Sequence, residues 1–379
     1  MSTAPIYLDY NATTPIAREV LEAMLPYLAT HFGNPSSQHG YGAPAHAAVE
    51  AARSQVAHLV GGASDEIVFT SGGTEATNHA LKGLAFAQTA GERRRIVVSA
   101  VEHPATLETA RALQRFGFEV VDIGADRHGV IDLAQLKRAL SPQTLAVSLM
   151  HANNETGTVQ PVAAAAEAAH RHGALLHVDA AQSAGKIAVD VNALGADLLT
   201  LAGHKLYAPK GVGALYVRSG IVLEPLIHGA GQESGRRAGT ENVPYIVALG
   251  AACRIARERL EANAAHMAAM RDRLWTQLHT RLGERAVLNG HPQDRLPNTL
   301  NVSFAGCVGS ELLAALPQLA ASTGSACHDG RISISPVLAA MGVDPMLARG
   351  AVRFSVGRDT SVEEIDQAAA MVAEYVLSR

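Results

Sequence analysis

Residues 175–205 read LLHVDAAQSAGKIAVDVNALGADLLTLAGHK, and the reading of this stretch decides the fold. Leu175-Leu176-His177-Val178 and Asp197-Leu198-Leu199-Thr200-Leu201 are continuous apolar runs, without the in–out alternation of a half-exposed strand. Each therefore reads as a strand covered on both faces. Each also ends in polar chemistry, Asp179 after the first and Gly203-His204-Lys205 after the second. Working outward, Glu66-Ile67-Val68-Phe69, Arg95-Ile96-Val97-Val98 and Leu145-Ala146-Val147-Ser148-Leu149 are runs of the same kind, separated by helix-compatible stretches such as the alanine-rich Pro161 to His172. Repeated βαβ units from Pro15 to about residue 220 predict an α/β fold with a mainly parallel sheet flanked by helices.

Past Pro244 the character changes. Tyr245 to Leu282 is rich in Ala, Leu, Arg and Glu, with no proline or strand signal, and predicts one or two long helices. A strand over Thr299 to Phe304, a helix opening near Gly309, a strand over Val352 to Val356 and a last helix follow. Ser361 with Glu364 forms the capping box of that last helix. These elements predict a smaller α+β domain.

The chain has 379 residues, 48% hydrophobic and 17% charged, with a formal net charge of -4 and a mean hydropathy of +0.09. That is apolar enough for a large core and excludes a disordered chain. It offers no positive field for nucleic acid or anionic lipid. Three cysteines, Cys253, Cys307 and Cys327, lack metal-ligand spacing and are odd in number, so no metal site or disulfide framework is expected. The amino-terminal residues carry no basic segment followed by an apolar stretch, and no apolar run is long enough to cross a membrane, which together predict a cytoplasmic protein.

In open parallel sheets, ligands bind beyond the carboxyl ends of the strands, and the polar clusters there carry the chemistry. Thr70-Ser71-Gly72-Gly73-Thr74-Glu75-Ala76 follows one run. It is either a phosphate cradle of free N–H groups and the Thr74 hydroxyl or a tight strand-to-helix turn. His103, in Glu102-His103-Pro104, either lies over an aromatic ligand or caps a helix. His151-Ala152-Asn153-Asn154-Glu155-Thr156-Gly157 is dense in amides that orient a ligand without adding charge, or is a solvated turn. Asp179 and Lys205, at the ends of neighbouring runs, suggest a Schiff-base lysine and an acid paired with a pyridinium nitrogen.

At these positions the sequence resembles the cysteine desulfurases of the class V aminotransferase family. The resemblance rests on Tyr7-Leu8-Asp9-Tyr10-Asn11-Ala12-Thr13-Thr14-Pro15, Gly33-Asn34-Pro35-Ser36-Ser37, the stretch from Phe69 to Glu75, Asn153 to Gly157, His177 to Gln182, Gly203-His204-Lys205, Gly239-Thr240 and Gly324-Ser325-Ala326-Cys327. It implies the fold shared with aspartate aminotransferase, a large domain over 15–258, and a small domain over 1–14 and 259–379 that carries a cysteine loop. It implies pyridoxal 5′-phosphate (PLP) on Lys205, with Asp179 at the ring nitrogen, Gln182 at the phenolic oxygen and His103 stacked on the ring. Gly73, Thr74 and His204 would hold the phosphate, with Thr240 from the other subunit of a homodimer. Asn34, Asn154 and Arg353 would hold the substrate. L-Cysteine would displace Lys205, whose freed amine removes the α-proton. The Cys327 thiolate would then attack the substrate sulfur, leaving a persulfide and L-alanine and serving a sulfur-acceptor protein such as an iron–sulfur scaffold.

Two positions depart from the common pattern. Ala202 stands where many relatives have serine, which removes one hydrogen bond to phosphate. His328 follows Cys327 as in selenocysteine lyases, so release of selenium from L-selenocysteine is the alternative activity. An ordinary transaminase would not need Cys327, and an idle scaffold would not need Asp179 with Lys205.

Overall fold

The computed structural model describes residues 5–88, 91, 93–323 and 334–379. Twelve strands occur among these: β1 (Ile6–Tyr7), β2 (Ile67–Thr70), β3 (Arg95–Ser99), β4 (Glu119–Ile123), β5 (Thr144–Met150), β6 (Leu175–Asp179), β7 (Leu198–Ala202), β8 (Gly213–Val217), β9 (Ala286–Asn289), β10 (Thr299–Phe304), β11 (Leu319–Ala320) and β12 (Ala351–Ser355). Seven of them build one sheet in the order β2-β8-β7-β6-β5-β3-β4. The pairs from β4 through β3, β5 and β6 to β7 are parallel. Only β8 runs against its neighbours β2 and β7, so the carboxyl ends of the other six strands share one edge.

The continuous apolar runs have the cause expected of them. Every residue of β2, β5, β7 and β8 is buried, because helices cover both faces of the sheet. Side chains alternate between those faces. Ile67, Phe69, Leu199, Leu201 and Tyr216 join the core beneath helices Gly42–Val60, Val162–Arg171 and Val243–Glu258. Val68, Leu198, Leu215 and Val217 join another beneath helices Gly73–Phe86 and Pro104–Gln114.

The long helical stretch divides at Arg259 into helices Val243–Glu258 and Leu260–Leu282. Ile246, Leu249 and Cys253 of the first face the large core. Met267, Met270, Leu274 and Leu278 of the second, at helical spacing, face a separate core. That second core surrounds the antiparallel sheet β12-β10-β9 and includes Ile6 and Leu8 from the amino-terminal segment. β12 begins and ends one residue earlier than the apolar pattern predicts. The final helix, Val362–Leu377, carries the expected capping box, with Ser361 Oγ accepting from Glu364 N–H at 3.2 Å and Glu364 Oε2 accepting from Ser361 N–H at 2.7 Å.

Candidate active site

Where the strands end, a cavity of about 310 Å³ opens. β6 terminates in Asp179, whose Oδ1 accepts from Ala181 N–H at 2.9 Å. β7 terminates in Ala202 and passes into a single 3₁₀ turn, Gly203–Lys205, which delivers His204 and Lys205 to the same cavity. Helix Gly73–Phe86 starts there with Gly73 and Thr74, its opening N–H groups lacking partners within the helix. A Cβ on Gly73 would stand only 3.2 Å from that of Ala202, so the helix meets the end of β7 directly. His103 faces the cavity and also caps helix Pro104–Gln114, its Nδ1 accepting from Ala105 N–H at 3.1 Å. The capping reading of this residue therefore holds, and the neutral ring carries its proton on Nε2.

Asn154, Gln182 and Arg353 complete the wall. Arg353 arrives from β12 in the second sheet, 6% exposed, and is pinned from two sides. Its Nη2 donates to Asp9 Oδ1 at 2.7 Å and its Nη1 to the Asn154 carbonyl at 3.0 Å. Its Nε is buried with no partner among the described residues. The guanidinium is thus oriented by its two bonds.

Burial governs the electrostatics. It lowers the Lys205 amine to about 8, the Arg353 guanidinium adding to the shift and Asp9 and Asp179 opposing it. Burial likewise lowers His204 to about 4, with Lys205 and Lys210 contributing, and lowers His103 against the pull of Asp179. It raises the Asp179 carboxyl, opposed by the Ala181 N–H and the nearby His103 and Lys205. A cavity that sets lysine, arginine and neutral imidazoles against a single acid favours a ligand carrying negative charge.

Gly73, Thr74, His103, Asn154, Asp179, Gln182, His204, Lys205 and Arg353, drawn from positions as far apart as 73 and 353, therefore line one cavity. Asn34 is not among its lining residues. It is exposed on a turn, its Oδ1 accepting from Ser36 N–H at 2.9 Å. Thr240 lines a different cavity, with Ser71 and Arg237. Cys327 and His328 lie outside the described residues. Cys253 and Cys307 are both buried, and burial pushes the Cys253 thiol up to about 12, which suits inert packing residues. Among the described residues no group of acids, histidines and cysteines could hold a metal ion, and no helix is long and apolar enough to cross a membrane.

Asn11 is the residue that the motif reading left without a role. Its backbone carbonyl accepts from Gln182 Nε2 at 3.0 Å and from Lys205 Nζ. Its Nδ2 donates to the Asn154 carbonyl at 3.1 Å and to Thr299 Oγ1 at 2.8 Å. Asn11 stands in a quoted motif, which marks it as a candidate, but its partners lie up to 344 positions away, and no local pattern names them.

Residues 6–368 match the aminotransferase class-V family. The chain is 47% identical over 378 residues to a cysteine desulfurase IscS of Pectobacterium carotovorum subsp. carotovorum (strain PC1), covering 98% of this chain and 93% of that protein. It is 44% identical over 363 residues to a cysteine desulfurase IscS of Dictyoglomus turgidum (strain DSM 6724 / Z-1310), covering 95% and 92%. Among solved structures, a NifS-like protein superposes with a TM-score of 0.92 at 38% identity, covering 99% of this chain and 100% of that one. A structure described as SspA in complex with cysteine gives 0.82 at 37% identity, covering 93% and 99%. With the parallel-sheet architecture, the strand-end acid and lysine and these full-length likenesses together, the chain belongs to the aminotransferase class-V family, among its cysteine desulfurases.

Proposed function

We propose that this chain is a PLP-dependent cysteine desulfurase that takes the sulfur of L-cysteine onto Cys327 as a persulfide, releases L-alanine, and passes the sulfur to an acceptor protein such as an iron–sulfur cluster scaffold. The observation that carries the reading is the convergence of Asp179, Lys205 and the start of helix Gly73–Phe86 on one cavity. This donor set fits PLP: N–H groups at a helix start suit its phosphate, a buried acid suits its ring nitrogen, and a lysine with a lowered pKa suits its aldehyde.

When bound, PLP supplies an electron sink for charge developing at the substrate α-carbon. Lys205 would hold the cofactor, and its free amine would take the α-proton, a task suited to a group titrating near 8. Asp179 would hold the proton on the ring nitrogen, Gln182 would donate to the ring oxygen, and His103 would cover the ring. Gly73, Thr74 and His204 bind the phosphate. Asn154, Asn34 and Arg353 orient the substrate, Arg353 through a guanidinium suited to a carboxylate. The Cys327 thiolate attacks the substrate sulfur. An S–S bond forms, the C–S bond breaks, its electron pair goes to the carbon side, and protonation there completes alanine.

Asn34 and Thr240 stand apart from this chain's own cavity, so their roles in this reading require a second copy. The reading accordingly includes a cytoplasmic homodimer whose Thr240 reaches the partner's phosphate site. It also includes a large domain over 15–258 and a small one over 1–14 and 259–379, meeting at the helix junction around Arg259.

The test is to supply purified, PLP-loaded protein with L-cysteine and, separately, L-selenocysteine under a reductant, and to quantify alanine with sulfide or selenide. Equal alanine and sulfide, lost in Lys205→Ala and in Cys327→Ala by about 10³-fold or more, is the expected result. Turnover of selenocysteine with negligible turnover of cysteine would replace the reading with a selenocysteine lyase.

A further inference from the structure

A second lysine is enclosed behind the cavity. Lys186 is 6% exposed, and it is absent from the lining of the ligand cavity. Buried lysines are rare without a partner or a task. Burial, with the nearby Lys205 and Arg353, holds its amine well below the ordinary lysine range. Its Nζ donates to two side-chain amide oxygens, Gln182 Oε1 at 2.9 Å and Asn11 Oδ1 at 3.2 Å. Asn298 Nδ2 reaches the same Asn11 oxygen at 2.9 Å.

These contacts dictate which way the Gln182 amide faces. Its oxygen meets an amine donor, and its nitrogen donates at 3.0 Å to the Asn11 carbonyl, which can only accept. Turning the amide over would set its oxygen against the Asn11 carbonyl, two acceptors facing each other inside a buried network, and would forfeit the bond that Lys186 now donates. The orientation that remains leaves the second N–H of Gln182 Nε2 for the cavity that Gln182 lines. The Asn11 carbonyl that receives Gln182 also receives Lys205 Nζ. Lys186, Gln182, Asn11 and Lys205 thus form one continuous chain of hydrogen bonds.

We propose that Lys186 is a positioning residue that locks the Gln182 amide with an N–H toward the cofactor cavity, and through that amide sets the proton affinity of the nitrogen by which Lys205 holds PLP. The inference rests on the PLP reading above. An N–H directed at the ring oxygen draws negative charge there and so weakens the hold of the neighbouring nitrogen on its proton. Without Lys186, Gln182 Oε1 loses its buried donor, the amide is free to turn, and the nitrogen holds its proton to higher pH.

The experiment is a pH titration, from about pH 6 to 10, of the visible absorption of PLP-reconstituted wild type, Lys186→Met, Gln182→Met and the double variant. Lys186→Met is expected to raise the midpoint by about one pH unit. In the Gln182→Met background the same change is expected to add less than about 0.2 unit, because the amide it positions is gone. A midpoint in Lys186→Met equal to that of wild type overturns the proposal. So does an equal shift in both backgrounds, which would place the action of Lys186 on Lys205 without Gln182. The same cycle is run with Lys186→Gln, too short to reach both oxygens, so that failure of one variant to fold leaves the comparison intact. A wild type that shows no cofactor band after reconstitution would sink the PLP reading itself, a result distinct from a band whose midpoint does not move.

Discussion

Glu102 is enclosed directly behind His103, its Oε1 accepting from Ser99 Oγ at 2.7 Å and from Met150 N–H at 2.8 Å, while its Oε2 is left without a partner among the described residues. Burial pushes its carboxyl up to about 8 against these bonds. A folded-state pKa above the unfolded value near 4.5 means that the fold holds a proton the unfolded chain has lost. This stabilisation is complete below about 4.5 and is lost as pH rises through about 8. Glu102→Gln cannot titrate, and its amide can donate to the neighbouring Thr106 hydroxyl. At pH 8 it is expected to be more stable than wild type by about 1–3 kcal/mol, with a flatter stability profile from pH 5 to 8, read by urea unfolding; an unchanged slope would place the titration elsewhere. Lys205 gives a second pH signature. The rate at which cofactor-free protein captures PLP should rise with a midpoint near 8, not near the ordinary lysine value of 10.5. Asp9 holds Arg353 at 2.7 Å, so Asp9→Asn is expected to raise the KM for cysteine about 10-fold with a smaller change in kcat. A selective fall in kcat would instead assign Asp9 to the chemical step.

The turn after β7 shows how an element delivers chemistry. Gly203 N–H donates to the Val212 carbonyl at 3.0 Å, and a Cβ on Gly203 would fall 2.9 Å from both Val212 Cγ1 and that carbonyl oxygen. Gly203→Ala must therefore push the strand end away from the segment that follows, shifting His204 and Lys205. A stability loss of about 1–3 kcal/mol and faster loss of PLP on dialysis are expected; full retention of both would show that the turn relaxes freely. Legibility at this scale follows burial. The central strands could be read as continuous apolar runs because helices cover both their faces. β4 was not read because it is the sheet's edge, with Glu119 and Asp122 exposed. β8 is hidden because it starts at the end of the glycine-rich Lys210-Gly211-Val212-Gly213, where glycine masks the apolar pattern of a strand.

Across the whole molecule, Asn11 joins the two cores. Its N–H donates to Ser355 Oγ at 2.9 Å and its side chain binds Thr299 and Asn298 on one side and Asn154 and Lys186 on the other. Asn11→Ala would leave several buried polar groups unpaired at once. A loss of about 2–4 kcal/mol in urea unfolding, together with loss of desulfurase activity, is expected. A stable variant with impaired activity alone would confine its role to the cavity.

What the sequence by itself determined is the chemistry whose signals are local. An apolar run ending in Asp179, another ending in Gly203-His204-Lys205, and ordered motifs along nearly the whole chain were enough to predict the parallel sheet, the cavity at its carboxyl edge and the family. The tertiary structure alone decided which groups hold those residues in place. Asp9 meets Arg353 across 344 positions, and Lys186 meets Asn11 across 175. Such pairs are created when the two cores close on each other. Hydrogen bonds have no sequence period, so their partners become known only when the fold brings the chain's distant segments within about 3 Å.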